Sequence, residues 1–230
     1  MSDSSSTLPS DSSRLKRPAI ISHGSEHHQD LASFLAYAKR QKLSETSTTF
    51  QGTHYEYTVA SGLTRLGFDV LRTGKASDLG IDLLGWWHLP LSSHSDAQPM
   101  KVLLQCKAYV AKLGPRYVRE LEGSFPGAPA HWQGNGVMGF LVAPSEATKG
   151  MREAMVKSRL PLGFMQVTRD GKVLQMLWNQ KASLWGLEGF GVTKKFTQKG
   201  SANDETEQEI VLTYNGNILE SRLLRVTDAS

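Results

Sequence analysis

The chain has 230 residues, of which 39% are hydrophobic and 21% are charged, so it can bury a core and is not disordered throughout. It contains no run of about 18 apolar residues, which excludes a transmembrane helix. Its single cysteine excludes an internal disulfide framework and a cysteine-ligated zinc site. The net charge is +4, and residues 101–160 hold nine Lys/Arg against four Asp/Glu, whereas residues 201–230 hold two against six. A basic middle is typical of proteins that bind a polyanion such as nucleic acid, and a solvated basic face explains it equally well.

The first 48 residues predict an arm followed by a helix. Residues 1–26 are rich in Ser, Pro and Asp and lack apolar periodicity, so they predict a disordered N-terminal arm. Apolar residues at helical spacing over 29–43 predict a short amphipathic helix within an N-terminal helical extension, 27–48. We place the main α/β domain at 49–199 and an acidic C-terminal extension at 200–230.

The main domain opens with a helix and three strands. The helix is predicted over 54–66, with Thr53 or Thr49 as its N-cap and Gly67 as its C-cap. Three short apolar runs after this glycine predict strands, and the last two of them form a hairpin across a polar loop. These strands are predicted at 68–71, 81–84 and 101–107.

The second half of the domain alternates helices and strands. In chain order we predict a helix over 115–123, a strand over 136–142, a helix from Ser145 or Thr148 to about Ser158, and a strand over 164–167. A further strand-like stretch lies at 209–214, within the acidic extension. The order helix, three strands, helix, strand, helix, strand predicts an α/β sandwich with a mixed central sheet flanked by helices.

Three polar residues on the predicted hairpin suggest chemistry. Gln105 and Lys107 lie two apart on one strand and so share a face, while Asp82 begins the neighbouring strand and can lie opposite them. A carboxylate binds a hard divalent cation, and a lysine beside it can orient a water or stabilise charge on a phosphate. Glu56 on the preceding helix could reach the same metal. A surface hairpin with an Asp–Lys pair is the alternative, and spacing alone slightly favours it.

The motifs resemble those of a nuclease superfamily. The segment Gly74-Lys-Ala-Ser-Asp78-Leu-Gly80-Ile-Asp82, followed by Gln105-Cys-Lys107, resembles the PD-(D/E)XK superfamily in its Mrr-like branch. More narrowly, the stretches GTHYEYTVASGLTRLGFDV, DLGIDLLGWW, LLQCKAY and PRYVRELEG resemble the fungal mitochondrial "required for respiratory growth protein 7" family. This resemblance covers roughly residues 50–196 and implies a restriction-endonuclease-like core.

The resemblance also assigns roles to single residues. Asp82 is similar to the metal-binding aspartate, Lys107 to the catalytic lysine and Glu56 to the glutamate of the first helix. The backbone carbonyl of Cys106 resembles the main-chain metal ligand, and Gln105 stands where the superfamily more often has a second acid. This neutral residue is normal in the Mrr-like branch, and it leaves one charge fewer for holding Mg²⁺ or Mn²⁺.

Basic residues near the predicted helix starts are candidates for binding nucleic acid. A helix N-terminus with Lys and Arg nearby suits a phosphate, although a solvated helix face is as common. Arg116 also lies on a helix with Glu120 and Glu122, so it could equally form surface pairs. The full set of candidates is Lys75, Lys112, Arg116, Lys149 and Arg152.

The sequence and the resemblance together predict a metal-dependent nuclease that hydrolyses phosphodiester bonds, with DNA as substrate and mitochondria as location. Members of the superfamily often dimerise to cut two strands, so a homodimer is one expectation. The alternative is a non-catalytic nucleic-acid-binding or scaffold protein on the same fold. Metal-dependent cleavage by the purified protein separates the two.

Overall fold

The computed structural model describes residues 24–73, 80–89, 99–108, 112–134, 136–197 and 207–219. Most of the predicted arm, the loop at 90–98 and the candidate Lys75 lie outside these residues. Two helices precede the first strand, α1 (Leu31–Arg40) and α2 (Thr48–Leu63).

Both helices begin at polar caps. Asp30 and Ser33 form a reciprocal capping box at the start of α1. The hydroxyl of Ser47 accepts the Phe50 N–H at the start of α2, so the predicted caps Thr49 and Thr53 are wrong. The apolar residues from which α2 was predicted begin after its polar first turn. The start of the helix was therefore placed too late in the chain. Gly67 ends the segment at φ 88°, as predicted.

A mixed sheet forms the centre of the molecule, as predicted, and it has six strands. Its strand order is β1-β2-β3-β4-β5-β6. The β1–β2, β2–β3 and β5–β6 pairs are antiparallel, whereas β3–β4 and β4–β5 are parallel. The strands are β1 (Phe68–Arg72), β2 (Leu83–Trp87), β3 (Met100–Cys106), β4 (Val137–Ala143), β5 (Leu162–Val167) and β6 (Val173–Trp178).

Helices cover both faces of this sheet. Tyr55, Val59 and Leu63 of α2 pack on one face, against alternate strand residues that include Val102 and Leu104. Helices α3 (Arg116–Ser124) and α4 (Lys149–Lys157) pack on the other face, which carries Leu84, Leu103 and Leu141. Both clusters consist of apolar and aromatic side chains. Their burial is the main stabilising term of the fold.

Thr148 caps α4, and its hydroxyl accepts the Met151 N–H.

The predicted hairpin of β2 and β3 is confirmed, but β2 runs from Leu83 to Trp87 rather than over 81–84. Asp82 therefore lies immediately before the strand. No helix in the described part of the chain is long and apolar enough to cross a membrane.

A second, three-stranded sheet follows β6. It consists of β7 (Phe190–Thr197), β8 (Glu207–Tyr214) and β9 (Asn217–Ile218), all antiparallel. The pairing of β7 with β8 joins the end of the predicted main domain, 49–199, to the predicted acidic extension, 200–230. The Arg65 guanidinium donates to the Glu209 carboxylate and to the Ile210 carbonyl, which ties β8 to the turn after α2.

Candidate functional site at the end of strand β3

Asp82 is held against the last residues of β3. Its N–H donates to the Leu104 carbonyl at 2.9 Å, and its carbonyl accepts the Thr73 N–H at 3.0 Å. Its Oδ2 accepts the backbone N–H of Cys106 at 2.6 Å, where the antiparallel ladder has ended. The carboxylate therefore lies beside the Gln105–Cys106 peptide, at the end of β3.

Gln105 carries an uncompensated polar atom. The residue is only 4% exposed, and its Oε1 has no hydrogen-bond partner among the residues that the structure describes. A buried acceptor left unpaired costs about 1–3 kcal/mol, so a ligand that supplies a positive partner would recover that cost.

Gly80 allows the Gln105 amide to lie where it does. Gly80 has a φ of +86°, and a Cβ added there would come within 2.6 Å of Gln105 Nε2. A larger residue would both strain the backbone and push the amide away. The glycine in the Asp78-Leu-Gly80 segment thus shapes the site directly.

Lys107 points to the α3 side of the sheet. Its backbone N–H donates to the Val142 carbonyl at 2.8 Å, which fixes the residue beside the end of β4. Its Nζ binds Glu120 Oε2 at 3.1 Å and lies 5.3 Å from the centre of the Tyr117 ring. The ammonium is therefore held by two side chains of α3.

Cys106 points the other way, into the cluster beneath α2. Burial, together with the negative charges of Asp82 and Glu56, raises the pKa of its thiol well above the ordinary value. The thiol is accordingly neutral, and Cys106 contributes only backbone atoms to the site.

Glu56 lies on the α2 side of the sheet. Its Oε2 accepts a hydrogen bond from Arg72 Nε, and both side chains are largely buried. Arg72 also packs over the Tyr57 ring, at 5.8 Å from its centre. The structure therefore places Glu56 in an ion pair, close enough to Cys106 for its charge to act there, while Gln105 and Lys107 face α3.

The basic candidates gather where α3 and α4 begin. Thr148 Oγ1 donates to the Leu113 carbonyl at 2.8 Å, so the loop that carries Lys112 and Arg116 abuts the start of α4. Lys149 is 87% exposed and lies 3.9 Å from Glu153. Arg152 Nη1 donates to the Ala147 carbonyl at 2.9 Å.

Tyr117 connects this basic edge to the site. The Arg116 guanidinium packs 4.6 Å from the centre of the Tyr117 ring and donates to its hydroxyl. The same ring contacts Lys107. Sequence reasoning missed Tyr117 and treated Glu120 only as a surface partner. Their spacing of three on a helix was the available signal that they share a face.

The residues that could hold a cation supply oxygen. They are the Asp82 carboxylate, the unpaired Gln105 Oε1 and the Cys106 carbonyl, which is a donor set suited to Mg²⁺ or Mn²⁺. No group of three or more His, Cys, Asp or Glu side chains that could hold a metal occurs among the described residues. Any cation here would thus be held with one side-chain carboxylate from the β2–β3 hairpin.

Comparison with known proteins identifies relatives. The family model for "Required for respiratory growth protein 7" matches residues 47–194, which include all the residues of this site. An uncharacterized mitochondrial protein of Schizosaccharomyces pombe is 32% identical over 158 residues, covering 67% of this chain and 61% of the relative.

Budding-yeast relatives carry the family name itself. The mitochondrial Required for respiratory growth protein 7 of Saccharomyces cerevisiae S288c is 32% identical over 170 residues, which cover 57% of this chain and 70% of the relative. That of Zygosaccharomyces rouxii is 28% identical over 165 residues, which cover 56% of this chain and 68% of the relative. The mitochondrial location expected from the resemblance is confirmed by these relatives. No solved structure matches the chain significantly.

Proposed function

The chain belongs to the Required for respiratory growth protein 7 family, and we propose that it is a metal-dependent nuclease that hydrolyses phosphodiester bonds in mitochondrial DNA. The observation that carries the proposal is the buried Gln105 Oε1, which has no hydrogen-bond partner among the described residues and belongs to the residue before Cys106, whose N–H donates to the Asp82 carboxylate. The order of β1 to β4 with flanking helices, and the motifs around Asp82 and Lys107, support a restriction-endonuclease-like core of the PD-(D/E)XK, Mrr-like type.

The donor atoms fit a hard divalent cation. Asp82 supplies one charged oxygen, while Gln105 Oε1 and the Cys106 carbonyl supply neutral ones. A bound Mg²⁺ or Mn²⁺ would polarise the phosphate and lower the pKa of a coordinated water. Because Arg72 already neutralises Glu56, we assign Glu56 an electrostatic role from the α2 side rather than the metal-ligand role that the resemblance implies.

The side chains of the site would have separate roles in this reaction. Asp82, fixed by the Cys106 N–H, holds the negative charge that binds the cation. Lys107 supplies a positive charge on the same sheet face, where it can stabilise charge developing on the phosphate or orient the attacking water. Lys112, Arg116, Lys149 and Arg152 hold the nucleic-acid backbone at the adjoining edge, and Lys75 remains a candidate for the same role.

A non-catalytic nucleic-acid-binding protein is the second candidate. It is favoured by the single carboxylate that the described part of the hairpin contributes and by the Lys107–Glu120 pair, which together leave a site of low charge. The basic edge would serve this function unchanged. Homodimerisation is compatible with both and stays a prediction.

The deciding experiment is a cleavage assay with the purified full chain. Plasmid, single-stranded, flap and four-way-junction DNA, and matched RNA, are incubated with Mg²⁺, Mn²⁺ or chelator. We expect cleavage of DNA that needs the metal and is lost in Asp82→Asn, which keeps an acceptor for the Cys106 N–H. Binding without cleavage in any metal would establish the second candidate, and cleavage by Asp82→Asn at the parental rate would remove this site from the chemistry.

A further inference from the structure

The Lys107 ammonium is held by two residues of α3 to which the proposed nuclease function gives no role, and the inference drawn from them rests on that function. Glu120 binds the ammonium at 3.1 Å, and the Tyr117 ring lies beneath it at 5.3 Å. Both lie on one face of α3, because they are three residues apart. The contacts of Lys107 thus extend the site onto α3.

A free lysine side chain has four rotatable bonds and a mobile ammonium. Here the side chain is only 20% exposed, while Glu120 is 44% exposed and stands on the solvent side of it. The Tyr117 ring supplies an aromatic face, which attracts a cation by its quadrupole. The ammonium is thereby restricted to one place between the end of β3 and α3.

Because Glu120 is 44% exposed, solvent screens its ion pair with Lys107, and the pair contributes little to folding stability. Helix α3 is already anchored by Val118 and Leu121, which are buried in the core beneath it. The Lys107–Glu120 pair is therefore expendable for the fold, and it places a negative charge beside a surface that must bind phosphate. A negative charge at that position weakens nucleic-acid binding unless it serves another purpose.

We propose that Glu120, assisted by the Tyr117 ring, is a positioning residue for Lys107 in phosphodiester hydrolysis. It acts through Lys107 rather than on the substrate, and its role is to hold the ammonium where the scissile phosphate arrives. Restricting a reacting group before the substrate binds lowers the barrier of the chemical step, whereas it adds nothing to ground-state binding.

This proposal predicts that kcat and KM respond differently to loss of the Glu120 charge. Simple electrostatics alone does not predict such a difference. Glu120→Gln keeps the size of the side chain and removes its charge. We expect kcat to fall on the order of tenfold, while KM stays the same or decreases because a negative charge near the substrate is gone. Glu120→Asp, which keeps the charge on a shorter side chain, should recover part of kcat.

The experiment measures cleavage kinetics, calorimetric Mn²⁺ binding and thermal melting on the parent, Glu120→Gln, Glu120→Asp and the control Glu188→Gln. Glu188 is an exposed glutamate in the loop before β7, so the control removes the same charge elsewhere. Metal affinity and melting temperature should be unchanged in all variants, and kcat should fall only in those at position 120.

A Glu120→Gln variant with the parental kcat would overturn this inference and leave the proposed function standing. So would a fall in kcat that is matched by weaker metal binding or a lower melting temperature, because Glu120 would then support the site's structure. A parent that cleaves no nucleic acid under any condition would instead overturn the proposed function, and the inference with it, before any variant is compared.

Discussion

Asp82 and Lys107 are held by different parts of the fold, so their removal should have different consequences. Asp82→Asn removes the charged metal ligand, and both metal binding and cleavage should be lost. Lys107→Ala leaves the carboxylate and its bond to the Cys106 N–H in place, so metal should still bind while the cleavage rate falls by about 10²–10³-fold. Calorimetric metal titration beside a cleavage assay separates the two effects, and equal loss of metal binding in both variants would contradict these roles.

Asn rather than Ala is the better replacement at position 82, because the Asp82 side chain also has a structural contact. Loss of the carboxylate would leave the Cys106 N–H without its acceptor, at a cost of about 1–3 kcal/mol. The hairpin pattern indicates which polar side chains lie at the site. It does not reveal that the Asp82 carboxylate completes the backbone hydrogen bonding at the end of β3.

Gln105→Glu tests the buried amide. A second carboxylate beside Asp82, in a position only 4% exposed, should lower the metal-free melting temperature because two negative charges are then buried together. Mg²⁺ or Mn²⁺ should raise the melting temperature of this variant more than that of the parent. Thermal melts with and without metal check both expectations.

Gln180→Glu is the matched control, because Gln180 is exposed at the start of the helical turn after β6. It adds the same charge far from Asp82 and should melt like the parent in either condition. A Gln105→Glu protein that gains no more from metal than this control would show that Gln105 Oε1 does not face a cation site.

At the scale of elements, the helix α1 is attached through a buried histidine. His28 Nδ1 lies 2.7 Å from the Tyr57 hydroxyl, and its ring packs against Phe34 and Tyr37. Residues 27 and 28 were predicted as the start of a helical extension with no role for the histidines. Because Gly24 also donates to the Arg72 carbonyl, the part of the arm that the structure describes belongs with the end of β1.

This attachment should weaken in acid. Burial lowers the pKa of His28 below its ordinary value of 6.5, and the positive charges of Arg72 and His27 lower it further. The unfolded chain therefore binds a proton more readily than the folded one. The stabilisation is complete above the unfolded value of about 6.5, declines below it and is lost as the pH falls through the lower pKa of the folded state.

The measurement is the difference in melting temperature between about pH 7.5 and about pH 5.5, a range in which histidine changes charge. His28→Gln should shrink this difference relative to the parent. His131→Gln, at an exposed histidine in the loop before β4, should leave it unchanged. An unaltered pH dependence in His28→Gln would show that another group controls acid stability.

The predictability of the elements depended on their pattern. The buried strands β3 and β4 and the capped helix α4 have strong apolar runs or periodicity, and sequence reasoning found them. Strands β6, β7 and β9 were missed. In β7, Thr193, Lys194 and Lys195 interrupt the alternation that marks a strand. β6 pairs with β5, and β7 and β9 pair with β8, and a local pattern does not report such pairing.

The site shows the same limit. A period of two placed Gln105 and Lys107 on one face, and the hairpin placed Asp82 beside them. The Arg72–Glu56 pair and the contact of Lys107 with α3 join residues from different elements. Such contacts depend on how helices lie across the sheet, so spacing along the chain could not predict them.

For the molecule as a whole, the two ends of the central sheet differ in character. The end of β3 carries Asp82, Gln105 and Lys107 and adjoins the basic starts of α3 and α4. The opposite end begins at Met100, which lines a small cavity with Ala182 and Trp185. Lys181 is exposed there, next to Ala182. Basic side chains thus lie at both ends of the sheet. Substituting them one at a time therefore shows which end binds nucleic acid.

We expect nucleic-acid binding to be largely electrostatic and confined to the end that carries the site. Affinity should fall with salt, by about 0.9 log–log slope units for each phosphate contact on duplex DNA. Arg116→Gln and Lys149→Gln should each weaken binding to all sequences alike and reduce that slope by about 1. Lys181→Gln removes the same charge from the opposite end and should change neither quantity. Fluorescence anisotropy over a salt series, with chelator present to prevent cleavage, gives both numbers. Equal slopes for all three variants would mean that the basic middle of the chain is a solvated surface.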